Sequence, residues 1–527
     1  QDQNSDGILV ILAPQSVTDA TATAEQLVEL TRKHRKPVLA SWMGGTDVQA
    51  GEAILSRAGI PTFAYPDTAA RAFLHMWRYT ANLRALFETP VLAPSANRPL
   101  GRQSADQIIR DARKAGRTLL TETESKTLLS TYGIPTVPTT VAASIDEAVA
   151  AAEALGFPVV LKLHSHTITH KTDVGGVKLG LRDLAAVRAA YADIERAVTE
   201  LRGREHFQGV TVQPMIERDG VELILGSSID PQFGPVLLFG AGGTLVEIWK
   251  DRALGLPPLT STLAKQMIER TTIAKALAGV RGQAPVNLDA LAQMLVDFSQ
   301  LVVEQPAIRE LDINPLLASS TRLVALDARV VLHDPALSLE ELPRPAIRPY
   351  PSQYVGQWTT ADGSAVTIRP IRPEDEPLVA RFHETLSERT VYLRYLAHLK
   401  LNQRIAHQRL SRLCFIDYAR DMALVVEREG GVRDGRESRE LLAIGRLSGT
   451  RPGQAEFSLL VADAHQRQGL GRELLRRLIE IGRAEGRRRI TADIDPANQA
   501  MQAICRELGF HLQRDAEDPT VEAVLDL

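Results

Sequence analysis

The first hundred residues alternate short apolar runs with amphipathic stretches. The apolar runs predict buried strands at Ile8–Ala13, Pro37–Trp42 and Ile60–Tyr65. Stretches with helical spacing of apolar residues predict helices at Ala22–Lys33, Gly51–Ala58 and Asp67–Leu86. Because strands that alternate with helices are typical of a parallel sheet, we predict an open α/β domain over residues 1–100.

A second pattern begins after the polar segment Asn97–Gly116, which we interpret as a linker with one short helix. The next stretch, from Thr118 to about Asp334, predicts an α+β domain within residues 101–341. Its predicted elements are a helix at Ser144–Leu155 and strands at Pro158–Leu163, Gly176–Leu181, Gly209–Gln213, Val221–Ser227 and Val236–Phe239.

Leu342–Pro351 holds four prolines in ten residues. Such a run is extended and semi-rigid, so we predict a domain linker over residues 342–351. A last α/β unit is expected over residues 352–527. The fold class predicted from the whole pattern is therefore α/β, multidomain.

Composition agrees with several globular domains and narrows the function. The 527 residues predict roughly three to five domains. With 61 basic and 64 acidic residues, the near-balanced charge argues against a dedicated nucleic-acid binder. The two cysteines, Cys414 and Cys505, provide neither a disulfide framework nor a tetrahedral metal site, which favours the cytoplasm.

The ends and the hydropathy of the chain give two further expectations. No apolar run approaches the 18 or so residues of a membrane span, so no membrane contact is expected. The chain opens without Met or a signal region, so we expect a natural N-terminus upstream.

A glycine-containing turn in the last unit suggests an anion site. The predicted strand Phe457–Val461 is followed by the turn and then by an amphipathic helix. The turn consists of Gln466, Arg467, Gln468, Gly469, Leu470 and Gly471. Glycines allow close approach of the backbone, and unpaired N–H groups at a helix start face an anion. A plain turn remains the alternative.

Three other segments, in order with this turn, carry a family resemblance. They are Ile368–Asp375, Asn498–Met501 and Leu508–Phe510. With the turn, they resemble the GNAT family of acyl-CoA-dependent N-acetyltransferases over about 160 residues. The resemblance implies that Gln466–Gly471 holds the pyrophosphate of acetyl-CoA. It also implies that Val461 lies on the strand that pairs with the pantetheine arm and that Asn498 contacts the arm.

Acetyl transfer to a lysine needs a base, because an ammonium with a pKa near 10.4 must lose a proton before it attacks. Glu456 begins the strand that leads to the turn, and an ordinary exposed Glu is the alternative. The catalytic Glu of Pat-type bacterial protein lysine acetyltransferases matches Glu456. Where many GNAT enzymes have an acidic Tyr, this chain has Cys505, so the acid for the leaving thiolate is unassigned.

The middle region contains candidate phosphate and metal ligands. Lys162 ends a buried apolar strand and needs a counterion, which a nucleotide phosphate would supply. Asp312 and Asn314 alternate, so on a strand both would face one side. With Glu247 as a third oxygen ligand, they suit Mg²⁺. For each of these residues taken alone, an ordinary structural role without ligand binding is the alternative.

Together the middle segments resemble the ATP-grasp module of ADP-forming acyl-CoA synthetases, and residues 1–100 resemble the flavodoxin-like domain before it. The segments are Glu122–Lys126, Tyr132–Pro135, Pro158–Lys162, His170–Val177, Gln213–Met215, Asp230–Pro235, Gly240–Gly243 and Glu310–Pro315. The resemblance implies ATP contacts from Lys126, Lys162 and Glu222, with Mg²⁺ at Glu247, Asp312 and Asn314. His170 would match a relay histidine, and the CoA-binding and phosphohistidine domains would lie upstream.

Three hypotheses follow from the combination. The fusion resembles Pat-type enzymes, which implies a protein lysine acetyltransferase that acts on AMP-forming acyl-CoA synthetases, with a ligase-like regulatory region. The second hypothesis is an ADP-forming acetyl-CoA synthetase with an accessory GNAT domain. The third is a non-catalytic sensor of acyl-CoA or nucleotide. Homo-oligomer formation stays open.

Overall fold

The computed structural model describes residues 5–15, 17–32, 36–86, 88–90, 98–168, 171–217, 219–243, 251–279, 284–433, 436–514 and 519–527. The chain divides into two compact units, Gln1–Glu88 and Thr89–Leu527. No helix in the described ranges combines the length and the apolar content needed to cross a membrane.

The first unit is a parallel sheet with helices, as its pattern predicts. Its three strands are ordered β1-β2-β3 and all pair in parallel. The elements are β1 (Ile8–Leu12), α1 (Ala20–Thr31), β2 (Val38–Trp42), α2 (Gln49–Arg57), β3 (Thr62–Phe63) and α3 (Pro66–Leu86). Trp42 and Leu55 are fully buried at the centre of its core.

The N-terminal part of the second unit, here called the middle module, contains two antiparallel sheets. One is ordered β4-β7-β5-β6, and the other β10-β9-β8-β11-β12 with β13 also on β11. Its helices are α4 (Arg98–Lys114), α5 (Glu122–Thr131), α6 (Ile145–Leu155), α7 (Leu184–Arg202), α8 (Ser261–Glu269), α9 (Ala274–Leu277) and α10 (Leu288–Glu304). Its strands are β4 (Thr140–Ala142), β5 (Val159–Leu163), β6 (Val177–Leu181), β7 (Val210–Pro214), β8 (Val221–Asp230), β9 (Gly234–Ala241), β10 (Arg252–Gly255), β11 (Ile308–Ala318), β12 (Leu323–Ala325) and β13 (Ala328–Leu332).

The C-terminal module is built on one eight-stranded sheet ordered β14-β15-β16-β17-β18-β19-β21-β20. Its strands are β14 (Gly356–Thr359), β15 (Ala365–Pro370), β16 (Asp421–Arg433), β17 (Arg436–Gly449), β18 (Gln454–Val461), β19 (Arg489–Ile494), β20 (His511–Gln513) and β21 (Val521–Asp526). Its helices are α11 (Glu376–Glu384), α12 (Glu388–Tyr395), α13 (Leu401–Arg404), α14 (His407–Cys414), α15 (Leu470–Ala484) and α16 (Gln499–Glu507).

The segment predicted as a linker with a short helix instead forms α4, which is 17 residues long. Ala105, Ile109 and Ala112 recur at helical spacing and are buried in the core of the middle module. The charged residues around this narrow apolar stripe hid it in the sequence. Pro99 does not interrupt the helix because it lies in the first turn, where no N–H bond is required.

The proline-rich segment Leu342–Pro351 packs at both ends. Leu342 is buried in the core of the middle module, and Tyr350 is buried in the core of the C-terminal module. The Tyr350 hydroxyl donates to the Pro370 carbonyl at 2.9 Å. Arg348 forms a bidentate ion pair with Glu485, whose bond from Nη1 is 2.6 Å long. The segment therefore joins the two cores through its side chains as well as its backbone.

Candidate functional site

Three lysines of the middle module converge on the carboxylate of Glu122. Lys126 lies 2.9 Å from this carboxylate and Lys162 lies 3.0 Å from it. Lys171, in a single 3₁₀ turn, makes an even shorter contact. Gln213 on β7 donates to the same group at 2.6 Å. Side chains from four separate elements thus surround one buried carboxylate. We call Glu122 and the three lysines the lysine cluster.

The N-terminus of α5 fixes the position of Glu122. Thr121 and Glu124 form a reciprocal capping box, in which the Thr121 N–H donates to Glu124 at 2.7 Å and the Glu124 N–H donates to Thr121 at 3.2 Å. Such a box determines where a helix starts. Glu122 is therefore held in the first turn, and Lys126 lies one turn later on the same face.

The lysine cluster has strongly perturbed electrostatics. Burial alone would raise the pKa of Glu122, but the charges of Lys162, Lys171 and Lys126 hold it well below its ordinary value. Burial lowers the pKa of Lys126, and the charge of Lys162 adds to this effect. The pKa of Lys162 is raised despite its burial, because both Glu122 and Asp327 stabilise its charged form. Among the described residues, the three ammonium groups outnumber the two carboxylates that contact them, Glu122 and Asp327.

A cavity of about 250 Å³ opens beside the lysine cluster. Glu122 and Lys171 line one part of it, and Asp312 and Asn314 of β11 line another. Burial raises the pKa of Asp312 to about 6, Arg329 opposes this shift and Asp327 adds to it. A carboxylate that is desolvated in this way gains from a cation beside it.

The residues of this wall provide oxygen donors for Mg²⁺, as the chemistry of that ion requires. Asn314 accepts a 3.3 Å bond from the Gly243 N–H through its side-chain oxygen, which keeps the amide next to Asp312. Within the described ranges, no group of three or more acidic, His or Cys side chains could hold a metal ion. The two donors therefore fit a cation that is also bound by phosphate oxygens or water.

A second candidate site lies in the C-terminal module, where β18 and β19 separate. The parallel pairing of these strands covers Gln454 to Glu456, whereas β18 continues its pairing with β17 as far as Val461. Along Phe457–Val461, the edge of β18 that faces β19 thus carries no strand pairing in the described structure. A cavity of about 210 Å³ lies here, lined by Glu456, Asn498 and Arg394 among others.

The turn after β18 presents the start of helix α15. Gly469 has a φ of +87° and Arg467 a φ of +62°, so two residues adopt the left-handed conformation in this short turn. The first N–H groups of an α-helix have no carbonyl partner within the helix, and they attract anions. Trp358 of β14 packs against the turn, since a Cβ at Gly469 would lie 3.2 Å from its ring.

Glu456 is exposed to the cavity, and a cation lies near it. Burial lowers the pKa of the Arg394 guanidinium, whereas Tyr395 and Glu456 oppose this shift through their charges. Cys505 is fully buried, and burial raises the pKa of its thiol to about 12. This cysteine packs in the core of the C-terminal module and does not line the cavity.

Comparisons with known proteins identify both modules. Residues 111–332 match the model of an ATP-grasp domain, and residues 365–511 match that of an acetyltransferase (GNAT) domain. The beta subunit of acetate–CoA ligase (ADP-forming) I from Pyrococcus furiosus is 40% identical over 228 residues, which cover 43% of this chain and 97% of the subunit. The chain belongs to the ATP-grasp family of ADP-forming acyl-CoA ligases and carries a C-terminal GNAT domain.

Two other relatives show how much of the chain each similarity covers. Acetate–CoA ligase (ADP-forming) I of Archaeoglobus fulgidus is 35% identical over 337 residues, covering 63% of this chain and 47% of the ligase. An acetyltransferase of Pseudomonas aeruginosa is 35% identical over 162 residues, covering 30% of this chain and 82% of that protein. The chain thus spans about half the length of the longer ligases that it matches.

The structure brings together several of the residues singled out in the ATP-grasp domain, and it separates others from the cavity. Asp312 and Asn314 share the cavity wall, and Lys162 lies in the lysine cluster beside it. Lys126 is buried behind Glu122 and donates to Thr139 at 3.0 Å, so it does not line the cavity.

Three other candidates of this domain lie elsewhere. The Glu222 carboxylate lies beneath the Gly242–Gly243 turn, where it would collide with a Cβ at Gly243. Glu247 and His170 lie outside the described residues.

In the GNAT domain, several contacts hold the turn Gln466–Gly471 in place. The Gln466 amide donates to Thr390 at 3.1 Å and to the Val461 carbonyl at 3.4 Å, so it braces the turn against α12. The Gln468 carbonyl accepts from Ala361, and Leu470 is buried. These contacts hold the turn in place at the N-terminus of α15, where the first N–H groups have no carbonyl partner within the helix.

Asn498 acts first as a helix cap. Its side-chain oxygen accepts a 3.2 Å bond from the Met501 N–H at the start of α16. Its amide N–H groups are the atoms left to contact a ligand in the cavity that it lines. The unpaired edge of β18 ends at Val461.

Sequence reasoning assigned no site role to Glu122, Lys171, Asp327 or Arg394, although the first two lie in segments that carry the ATP-grasp resemblance. A signal existed for Glu122, since it stands four residues before Lys126 on a helix whose neighbouring positions Ser125, Leu128 and Leu129 are buried. Two charges on the buried face of a helix need each other or a third partner. Lys171, Asp327 and Arg394 come from loops and separate elements, and no spacing in the chain connects them to the sites.

Proposed function

We propose that the ATP-grasp domain binds ATP with Mg²⁺ and serves as the nucleotide-binding half of an ADP-forming acyl-CoA ligase. One observation carries this proposal: Glu122 and Lys171 of the lysine cluster border a single cavity with Asp312 and Asn314. The 40% identity with the ligase beta subunit, 97% of which is covered by the match, supports this proposal. The name of that relative, a beta subunit, also supports association with a further ligase subunit or a second copy.

The residues around the cavity have distinct roles in this proposal. Lys171 donates to phosphate oxygens from the cavity wall, and Lys162 supplies charge from behind it. Asp312 and Asn314 contribute oxygen ligands to Mg²⁺. The bound ion would neutralise charge on the phosphates, which is what phosphoryl transfer requires.

Titration calorimetry with ATP and Mg²⁺ on the whole chain tests the binding step. Lys162→Met should weaken binding by about tenfold or more, since it removes a buried positive charge directly behind the cavity wall. Lys178→Met is the matched control, because Lys178 lies on β6 of the same sheet and pairs with Asp193 at the surface. A wild-type chain without ATP affinity, or two variants of equal affinity, contradicts the proposal.

Turnover is measured separately. ATP, acetate and CoA are supplied together, and the release of ADP and acetyl-CoA is followed. Equal amounts of both products extend the proposal from nucleotide binding to the complete ligase reaction. ATP binding without these products limits the proposal to the binding half.

A second candidate function belongs to the GNAT domain: acetyl transfer from acetyl-CoA to a protein lysine. The observation that favours it is Glu456 at the point where β18 and β19 separate, facing a cavity. Glu456 would take a proton from the lysine ammonium, and the free amine would attack the thioester carbonyl. CoA would leave as a thiolate. By its resemblance to Pat-type enzymes, the proposed target is an AMP-forming acyl-CoA synthetase.

Transfer of radiolabelled acetyl from acetyl-CoA to such a synthetase tests this function. We expect label on the wild-type synthetase and none on a variant whose active-site lysine is replaced by arginine. Label that is independent of Glu456 would rule out the assigned base. Absence of label on any synthetase offered would rule out this class of target.

A further inference from the structure

Glu122 has no assigned role, although the whole lysine cluster depends on it. Its carboxylate is 2% exposed and accepts from Lys126, Lys162, Lys171 and Gln213. A carboxylate has about four lone-pair directions, and these donors occupy them. The described residues supply one other carboxylate, Asp327, which lies 3.7 Å from Lys162. Glu122 is therefore the main counterion of three buried cations.

We propose that Glu122 is a positioning residue of the phosphate site, which holds Lys126, Lys162 and Lys171 in one cluster and presents Lys171 to the cavity with Lys162 behind it. This inference rests on the proposed nucleotide-binding function. Glu122 itself need not touch the nucleotide. It acts through the lysines that it holds.

The lysines need this counterion because their surroundings disfavour charge. Lys126 is 3% exposed, and both its burial and the charge of Lys162 lower its pKa. Lys162 stays charged because Glu122 and Asp327 outweigh its burial. The groups that face Glu122 are Lys126 from α5, Lys162 from β5, Lys171 from the 3₁₀ turn and Gln213 from β7, with His164 beyond β5. Burial lowers the pKa of His164, so this histidine adds no compensating charge at neutral pH.

The opposite role, in which Glu122 competes with phosphate for the lysines, fits the hydrogen bonds less well. Each ammonium has three protons. Lys171 donates only to Glu122 among the described residues, so two of its protons can still face the cavity. Lys162 donates to Glu122 and to the Leu326 carbonyl at 3.2 Å. Glu122 and a phosphate can therefore be bound by the same lysine at once.

Calorimetry with ATP and Mg²⁺ at pH 7.5 and pH 9.5, on the whole chain, tests the proposal. In wild type we expect affinity to change by less than about threefold between the two pH values, because Glu122 and Asp327 raise the pKa of Lys162. Glu122→Gln leaves three lysines without their main counterion. We expect at least about tenfold weaker binding at pH 7.5 and a further loss of about tenfold at pH 9.5, because Lys162 loses the partner that raises its pKa against burial.

Glu124→Gln is the matched control. Glu124 lies two residues along the same helix and pairs with Arg117 at 2.7 Å. Gln at this position can keep the capping bond that holds Glu122 in the first turn. A structural effect of altering this helix would appear in both variants, whereas the steep pH dependence should appear only in Glu122→Gln. Equal affinity of wild type and Glu122→Gln at both pH values overturns the inference alone. A wild-type chain that binds no ATP overturns the proposed function.

A second comparison covers the case in which Glu122→Gln does not fold. Lys126→Met keeps Glu122 bound to Lys162 and Lys171. The double variant Lys126→Met/Glu122→Gln lacks one negative and one positive charge of the cluster. We expect the double variant to bind ATP at least about tenfold more weakly than Lys126→Met alone. Equal affinities of these two proteins would also overturn the inference.

Discussion

The bidentate pair of Arg348 and Glu485 gives the sharpest prediction about the domain boundary. Our sequence-based boundary places the GNAT domain at residues 352–527, which leaves Arg348 outside it. In the structure, Arg348 donates to Glu485 and, at 3.0 Å, to the Tyr418 carbonyl. We therefore propose that a fragment of residues 343–527 is more stable than one that begins at Tyr350.

The magnitude follows from burial. The side chains of Arg348 and Glu485 are 28% and 22% exposed, so the pair lies between a surface ion pair and a buried one. Hydrogen bonds to charged groups stabilise by about 1.5–3 kcal/mol, and exposed pairs by about 0–1 kcal/mol. We expect Arg348→Ala in the 343–527 fragment to cost about 2 kcal/mol, which corresponds to about 4–8 °C in Tm.

The pH dependence of stability distinguishes the contribution of this ion pair from that of apolar packing, which does not change with pH. Burial opposes ionisation of Glu485, but Arg348 and Tyr354 lower its pKa below the ordinary value. A carboxyl whose pKa is lowered by folding adds stability above its unfolded pKa, about 4.3, and this stability is lost as the pH falls through the folded-state pKa. The difference between wild type and Arg348→Ala should therefore be full at pH 7 and shrink below about pH 4.

Urea unfolding of the fragment at several pH values measures these differences. Arg344→Ala is the control, since Arg344 is an exposed arginine of the same proline-rich segment. We expect it to change stability by less than about 0.5 kcal/mol. If Arg348→Ala and Arg344→Ala unfold alike at pH 7, the reasoning about Arg348 is wrong.

Three further predictions concern the candidate sites. Glu456→Gln should leave acetyl-CoA affinity unchanged in calorimetry and slow acetyl transfer by about 10²–10⁴-fold, and an unchanged rate would remove Glu456 from the mechanism. Gly469→Glu should abolish acetyl-CoA binding, because a side chain at φ +87° is strained and its carboxylate would repel an anion at the helix start; retained affinity would contradict the anion assignment. Asp312→Asn should raise the Mg²⁺ concentration needed for half-maximal ATP binding by about tenfold or more, and an unchanged Mg²⁺ titration would exclude Asp312 as a ligand.

Prediction from the sequence was most accurate where the residues of one short segment determine the local structure. The turn Gln466–Gly471 lies between a strand and a helix in the structure, as its glycines and the apolar pattern indicated. The alternation of Asp312 and Asn314 placed both on one cavity wall. In each case the backbone geometry of a single element determines the outcome.

Features that depend on distant partners could not be predicted in this way. Glu122 meets lysines from three elements and a glutamine from a fourth, and only the tertiary fold brings them together. Proline spacing indicates a stiff backbone, but it contains no information about where Tyr350 and Leu342 pack. The direction of the Gln466 side chain depends on Thr390, which lies 76 residues away.

The anchoring of the proline-rich segment limits motion between the ATP-grasp and GNAT domains. Leu342 is held in one core and Tyr350 in the other, so even a fully extended segment separates these two residues by no more than about 28 Å. Any larger excursion of one domain must first extract a buried side chain from its core. Interdomain opening and local unfolding are then one event, and hydrogen exchange around Tyr350 and its partner strand would report how often it happens.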